Sequence, residues 1–167
     1  GGRLALELLR ANESISLLVC SAGPGLPDND DAGRRARLQS DQNWAQRFRN
    51  EEWSKVLTDW NAQGVFSADC FEPKRKEEEF DRESVALSLE NWGWARQRDC
   101  HPLIRRKGAQ ICALVGDRDK IYCQRWEPLA SSVGYFRKIP GAGHRLLFEA
   151  PREVAKALQA VIDRRAH

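Results

Sequence analysis

The 167-residue chain is the size of one ordinary domain, and its 41% hydrophobic and 31% charged residues, with 12 Gly and 7 Pro, exclude a collagen-like or compositionally disordered polypeptide. The net charge of +3 comes from interleaved basic and acidic residues rather than a basic block, which argues against a nucleic-acid partner. The longest apolar runs, Ile15 to Cys20 and Ile111 to Val115, fall short of the roughly 18 residues that a membrane-spanning helix needs, so no membrane partner is expected.

Leu4, Leu6, Leu8 and Leu9, with Ala5, Glu7 and Arg10 between them, predict a helix that begins directly at Gly1-Gly2 with no room for a cap. That helix is expected to start upstream. The chain has no Met, residue 1 included, and Gly1-Gly2-Arg3 lacks the basic start and apolar core of a signal peptide, so residue 1 is not expected to be the natural start. Ile15 to Cys20 reads as a strand buried on both faces, closed by the loop Ser21-Ala22-Gly23-Pro24-Gly25. A helix running directly into a buried strand points to a parallel sheet.

From Asp30 to about Asn91 the pattern changes to long, charged helices. Trp44, Phe48, Trp53, Val56, Leu57 and Trp60 recur at helical spacing and predict an apolar stripe whose ordinary role is core packing. Lys74 to Glu79 reads as a solvated helix face with local ion pairs. Ala109 to Val115 predicts a second buried strand ending at Gly116-Asp117-Arg118-Asp119, followed by a helix around Cys123 to Ser132. Gly134 to Ile139 predicts a third strand ending at Pro140-Gly141-Ala142-Gly143-His144. Pro151 then opens a last helix through Val154, Leu158, Val161 and Ile162.

The five cysteines, Cys20, Cys70, Cys100, Cys112 and Cys123, form no C-x-x-C pair. That speaks against a zinc module or disulfide framework and for a reducing, cytoplasmic location, with Cys20 and Cys112 as buried hydrophobes.

In open α/β sheets, chemistry collects at the carboxyl ends of the strands, and two such ends carry Asp119 and His144. An acid held against an imidazole fixes its tautomer and stabilises the imidazolium, as a Ser-His-Asp relay requires. A lone Asp in such a turn is ordinarily a turn former or helix cap. His101 and His167 are expected in unstructured polar contexts and offer no competing constellation.

The order of these parts resembles the C-terminal half of an α/β-hydrolase, whose chain order is Ser, acid, His. Gly1 is similar to the final Gly of the G-x-S-x-G elbow, which implies a Ser two residues upstream of Gly1. More specifically, seven short segments occur in one order: Gly1-Gly2-Arg3; Ser21 to Leu26; Arg34 to Arg37 followed by Ser40-Asp41 and Trp44; Asp59-Trp60 before Val65-Phe66; Ala95-Arg96-Gln97; Gly116 to Lys120; and Gly143-His144 before Glu149-Ala150-Pro151. This series resembles the 2-succinyl-6-hydroxy-2,4-cyclohexadiene-1-carboxylate synthase family of menaquinone biosynthesis.

The resemblance implies that residues 1–167 form the C-terminal part of one α/β-hydrolase domain, with parallel strands and a helical lid insertion over residues 28–100. It implies a lyase on a hydrolase scaffold, in which a Ser-Asp-His triad removes a proton and pyruvate leaves by elimination. Asp119 and His144 match the acid and imidazole; Arg3, Arg37 and Trp60 match residues that hold the substrate. A small polycarboxylate suits guanidinium forks. No metal or organic cofactor is implied, and the partner implied is the N-terminal half of the same fold, which carries the Ser. Two departures stand out: Leu147 occupies a position where the family often has a second His, and the stretch from Leu89 to Ala95 is short of the family's helical insert. Two other readings compete. One is an ordinary ester or thioester hydrolase with Arg3 and Arg37 as surface residues; the other is a non-catalytic interaction module built on the Trp44 to Trp60 stripe.

Overall fold

The computed structural model describes residues 1–12 and 14–163, so His167 lies outside the described residues. The chain divides into two compact units, one made of Gly1–Pro24, Gly64–Phe71 and Cys100–His167, the other of Gly25–Gln63 and Glu72–Asp99.

The first unit is built on a parallel sheet of strands β1 (Leu17–Cys20), β2 (Ile111–Gly116) and β3 (Tyr135–Ile139), in the order β1-β2-β3. Leu17 pairs with Ile111 and Cys112 with Tyr135. Every residue of β2 is buried, and its side chains alternate between two cores. Ile111, Ala113 and Val115 pack with Leu6 and Leu9 of helix α1 (Gly2–Ala11) and with Trp126. Cys112 and Leu114 pack on the other face with Ile139, Leu146 and Val154. Strand β1 is fully buried on one face and half-buried on the other, because Leu18 and Cys20 meet only the margin of that second core. The buried Trp126 indole is satisfied by donating to the Ala22 carbonyl at 2.7 Å.

The predicted strands are one or two residues longer at their N-terminal ends than the ladders that form. In the second unit, α2 (Asp31–Asn50), α3 (Trp53–Asn61) and α4 (Arg82–Trp92) start at carboxylate caps, Asp30, Glu52 and Asp81, which accept the first free N–H groups of each helix. The aromatic stripe is core: Phe48, Trp53 and Val56 are buried, with Trp44, Leu57, Trp60, Val85 and Leu89 packed around them. Arg49 of α2 ties this core to α4 with bidentate contacts to Glu83 and Glu90 at 2.7 to 3.0 Å. The stretch from Lys74 to Glu79 does not form the expected helix face. Only Glu77–Glu79 makes a short 3₁₀ turn, since the helix proper waits for the Asp81 cap.

His101, expected in an unstructured stretch, opens helix α5 (His101–Lys107), whose first turn Pro102 suits. After α5 and β2, helix α6 covers Lys120–Trp126 and gives way to a 3₁₀ stretch, Glu127–Ser132, earlier than expected. Pro128 has no N–H to continue the α-helical ladder. A single turn, α7 (Leu146–Glu149), precedes α8 (Pro151–Asp163). Val154, Ala157 and Val161 of α8 face the sheet, whereas Leu158 and Ile162 are exposed.

The turns that follow β2 and β3 are joined. A Cβ on Gly116 would come within 2.2 Å of the Ala142 and Gly143 carbonyl oxygens, so the close approach of the two turns requires glycine there. Asp117 N–H donates to the Ile139 carbonyl at 3.0 Å, Arg118 N–H to that of Ala142 at 3.1 Å, and Gly141 N–H to Asp117 Oδ1 at 2.8 Å. Gly141 takes φ +74°, the left-handed conformation that the tight turn needs.

Candidate active site

Joining these turns brings Asp119 and His144 together within the first unit. Asp119 is the N-cap of α6: its Oδ1 accepts the Tyr122 N–H at 3.1 Å. Its Oδ2 lies 2.7 Å from Nδ1 of His144. The helix cap and the contact with the imidazole are made by the two oxygens of one carboxylate. The Asp119 side chain is 1% exposed and that of His144 19%, so the acid is enclosed while the imidazole reaches the surface. A carboxylate only accepts, so Nδ1 donates toward Asp119 and Nε2 is the ring nitrogen left unengaged by the acid.

The imidazole is held on two sides by aromatic rings. Tyr122 lies at a centroid distance of 4.6 Å and Phe66 at 5.6 Å, edge to face. Phe66 belongs to the short segment Gly64–Phe71, whose Asp69 accepts the backbone N–H of His144 through Oδ1 at 2.5 Å. Burial is the main influence on Asp69 and raises its carboxyl above the usual aspartate range, against the lowering effect of the His144 N–H and the Arg145 charge. Glu149 completes the loop, taking Gly143 N–H at 2.7 Å and Cys70 N–H at 3.2 Å.

The remaining predicted site residues are placed as follows. Arg3 is exposed on the first turn of α1, in the unit that holds Asp119 and His144. Arg37 and Trp60 belong to the second unit, each among its own neighbours. Arg37 Nη2 lies 2.7 Å from Oδ1 of buried Asp41, one turn along α2. Trp60 packs edge-on to Trp44 and Phe48 at 5.1 and 5.5 Å and lines a cavity of about 180 Å³ with Trp53, Leu57 and Leu89. Leu147, where the family often has a second His, is exposed.

Sequence reading missed Tyr122, Asp69 and the role of Phe66. Tyr122 had a signal, being three residues beyond a candidate cap. Asp69 had none, because 75 residues separate it from His144. Among the described residues, no group of three or more His, Cys, Asp or Glu is placed to hold a metal ion, and no helix is long and apolar enough to cross a membrane.

An acid after one parallel strand and a histidine after the next, facing each other beyond the strand ends, define a class of protein. Residues 1–157 match the alpha/beta hydrolase family, and the chain belongs to that family. Within it, the chain is 30% identical over 172 residues to 2-succinyl-6-hydroxy-2,4-cyclohexadiene-1-carboxylate synthase of Photorhabdus laumondii, a match covering 98% of this chain and 58% of that protein. It is 38% identical over 133 residues to the synthase of the same name from Yersinia pestis, covering 74% of this chain and 47% of the relative. The resemblance read in the sequence is thus met by relatives that bear that name, and the chain spans about half to three-fifths of their length. In fold it is similar to MenH from S. aureus, with a TM-score of 0.84 at 19% identity over 100% of this chain and 66% of that one.

Proposed function

We propose that this chain carries the acid and imidazole of a Ser-His-Asp relay in a lyase that eliminates pyruvate to form 2-succinyl-6-hydroxy-2,4-cyclohexadiene-1-carboxylate. The observation that carries the reading is the 2.7 Å contact between Asp119 Oδ2 and His144 Nδ1 at the joined strand ends. The name shared by the relatives supplies the reaction. In the proposed mechanism a Ser upstream of Gly1 passes its proton to Nε2 of His144. Asp119 orients the ring and offsets the imidazolium charge while the serine alkoxide takes the substrate proton; the bond to the leaving group breaks, and the imidazolium returns its proton to the departing enolate, which leaves as pyruvate. Arg3 and Arg37 present guanidinium forks to the carboxylates, Trp60 offers an aromatic face, and residues 28–100 act as the lid insertion of the domain. The protein works in the cytoplasm in this reading.

One observation favours a second reading, an ester or thioester hydrolase. Arg37 already has a carboxylate partner in Asp41, as a structural arginine does. Steady-state assays of the full-length protein distinguish the two. Turnover of the succinyl-cyclohexene precursor to the cyclohexadiene and pyruvate, well above that of an activated ester, supports the lyase. Ester turnover with no pyruvate release supports the hydrolase.

A further inference from the structure

The segment Gly64–Phe71 lies apart in sequence from both turns of the candidate site, yet its Asp69 accepts the backbone N–H of His144. Asp69 is its centre. Oδ1 accepts the His144 N–H at 2.5 Å, and Oδ2 faces Arg145 Nε at 3.5 Å, with the two side chains only 3% and 8% exposed. The Arg145 guanidinium in turn lies 4.2 Å from the centre of the Phe66 ring and donates from Nη1 to the Phe71 carbonyl at 3.1 Å. Phe66 closes the circuit by meeting the His144 ring.

The fit is close enough to constrain the neighbouring residue. A Cβ on Gly143 would lie 2.3 Å from Asp69 Oδ1, 2.9 Å from its Cα and 3.0 Å from its N, so the loop seats against Asp69 only with glycine at that position. A buried charged group is costly unless paired and hydrogen-bonded. Both oxygens of Asp69 are directed at the two residues whose backbone and side chain set the His144 loop.

We infer that Asp69 is a positioning residue: by holding the His144 backbone N–H and the Arg145 guanidinium at once, it fixes the imidazole in register with Asp119. This rests on the reading of Asp119 and His144 as the acid and imidazole of a relay. Asp69 exchanges no proton with substrate. It acts through the backbone of the residue that does, so its removal leaves the imidazole present but free to leave the Asp119 carboxylate. Loss of such alignment lowers the rate of the chemical step and leaves substrate binding nearly unchanged.

The test uses the full-length protein with Asp69→Ala and Asp69→Asn and two readouts. The first is the far-downfield proton NMR signal of a histidine Nδ1–H bonded to a carboxylate, which needs no turnover. The second is kcat and KM on the succinyl-cyclohexene precursor and on an activated ester. Asp69→Ala is expected to lose or broaden the signal and to lower kcat by about 10- to 100-fold with KM within about twofold. Asp69→Asn keeps an oxygen that accepts the His144 N–H, and is expected to keep the signal and to hold kcat within about threefold. If the alanine chain does not fold, Asp69→Ser, whose hydroxyl is too short to span the gap, is read in its place. An unchanged signal and kcat in the truncated variant, or equal damage in Asp69→Asn, overturns the inference. A signal that depends on Asp69 in a protein that turns over neither substrate supports the positioning role and overturns the relay's proposed function instead. A wild-type protein with no such signal overturns both.

Discussion

Arg37 and Asp41 face each other across one turn of α2, Nη2 to Oδ1 at 2.7 Å, and the Asp41 carboxylate is 1% exposed whereas the Arg37 side chain is 36% exposed. The backbone of Gly93 abuts the far oxygen: a Cβ there would lie 2.3 Å from Asp41 Oδ2. The guanidinium therefore offsets a carboxylate that burial would otherwise isolate. Its five N–H donors still leave an outward edge for a ligand anion. An arginine in this setting can serve the helix and a substrate together, and the two roles separate by mutation.

Arg37→Ala should destabilise the protein by about 1–3 kcal/mol, the cost of a buried polar group without its partner, moderated because water reaches the arginine. Adding Asp41→Asn, which removes the stranded charge, should restore most of that loss in chemical denaturation. If Arg37 also holds substrate, the double variant should regain stability while kcat/KM stays depressed. Recovery of both would reduce Arg37 to a structural residue.

The divided carboxylate of Asp119 makes a second experiment clean. Asn caps helices as well as Asp does, so Asp119→Asn keeps α6 intact while changing the partner of His144 Nδ1. Groups that act as one relay are strongly non-additive. His144→Ala and Asp119→Asn should each lower turnover by orders of magnitude, and the double variant should be little worse than His144→Ala alone. Losses that simply multiply would separate the two residues mechanistically. Asp119→Ala should in addition lose about 1 kcal/mol of stability through the missing cap.

The strands were legible in the sequence because a buried parallel strand is an apolar run, and Ile111 to Val115 leaves few alternatives. The meeting of Asp119 and His144 was legible because both follow the carboxyl ends of neighbouring parallel strands, and each strand here ends in a glycine-containing turn. Asp69 was not, since its partner is 75 residues away and nothing local distinguishes a buried aspartate from a loop aspartate. The run from Lys74 to Glu79 misled for the opposite reason. Its composition favours helix, but it has no apolar face to bury, and the cap at Asp81 starts the helix three residues after the run ends. Leu158 and Ile162 satisfied the period of α8 yet flank its buried stripe, a distinction that the partner surface makes and the period does not.

Thiol chemistry should single out one cysteine. Cys70 is exposed, whereas Cys100, Cys112 and Cys123 are buried. Cys20 is partly covered, and burial, reinforced by Cys112, pushes its thiol up to about 11. At pH 8 only about one Cys20 in a thousand is a thiolate. A slight excess of a thiol-specific chromogenic disulfide should label one site rapidly in the native protein, and Cys70→Ser should abolish that fast phase. Fast labelling of two or more sites would show that one of the two cores flanking the sheet opens readily.

The raised carboxyl of Asp69 gives a pH dependence whose sign is fixed. In the unfolded chain an aspartate titrates near 3.9, whereas burial lifts Asp69 above that value in the folded protein. Between the two values the folded state holds the proton more tightly. The stability contributed by protonated Asp69 is therefore fully present below about pH 3.9 and is lost as pH rises through the folded value. Asp69→Asn has the same shape and does not titrate there, so every other carboxylate cancels when the two proteins are compared. The melting temperature of the wild type minus that of Asp69→Asn should fall as pH rises from about 3.5 and level off above the folded value, read by thermal denaturation of both proteins in matched buffers. A difference that instead grows with pH would mean that the His144 N–H and the Arg145 guanidinium outweigh burial and hold the carboxylate below its ordinary range. Asp69 would then stabilise the folded protein through its charge rather than at the charge's expense.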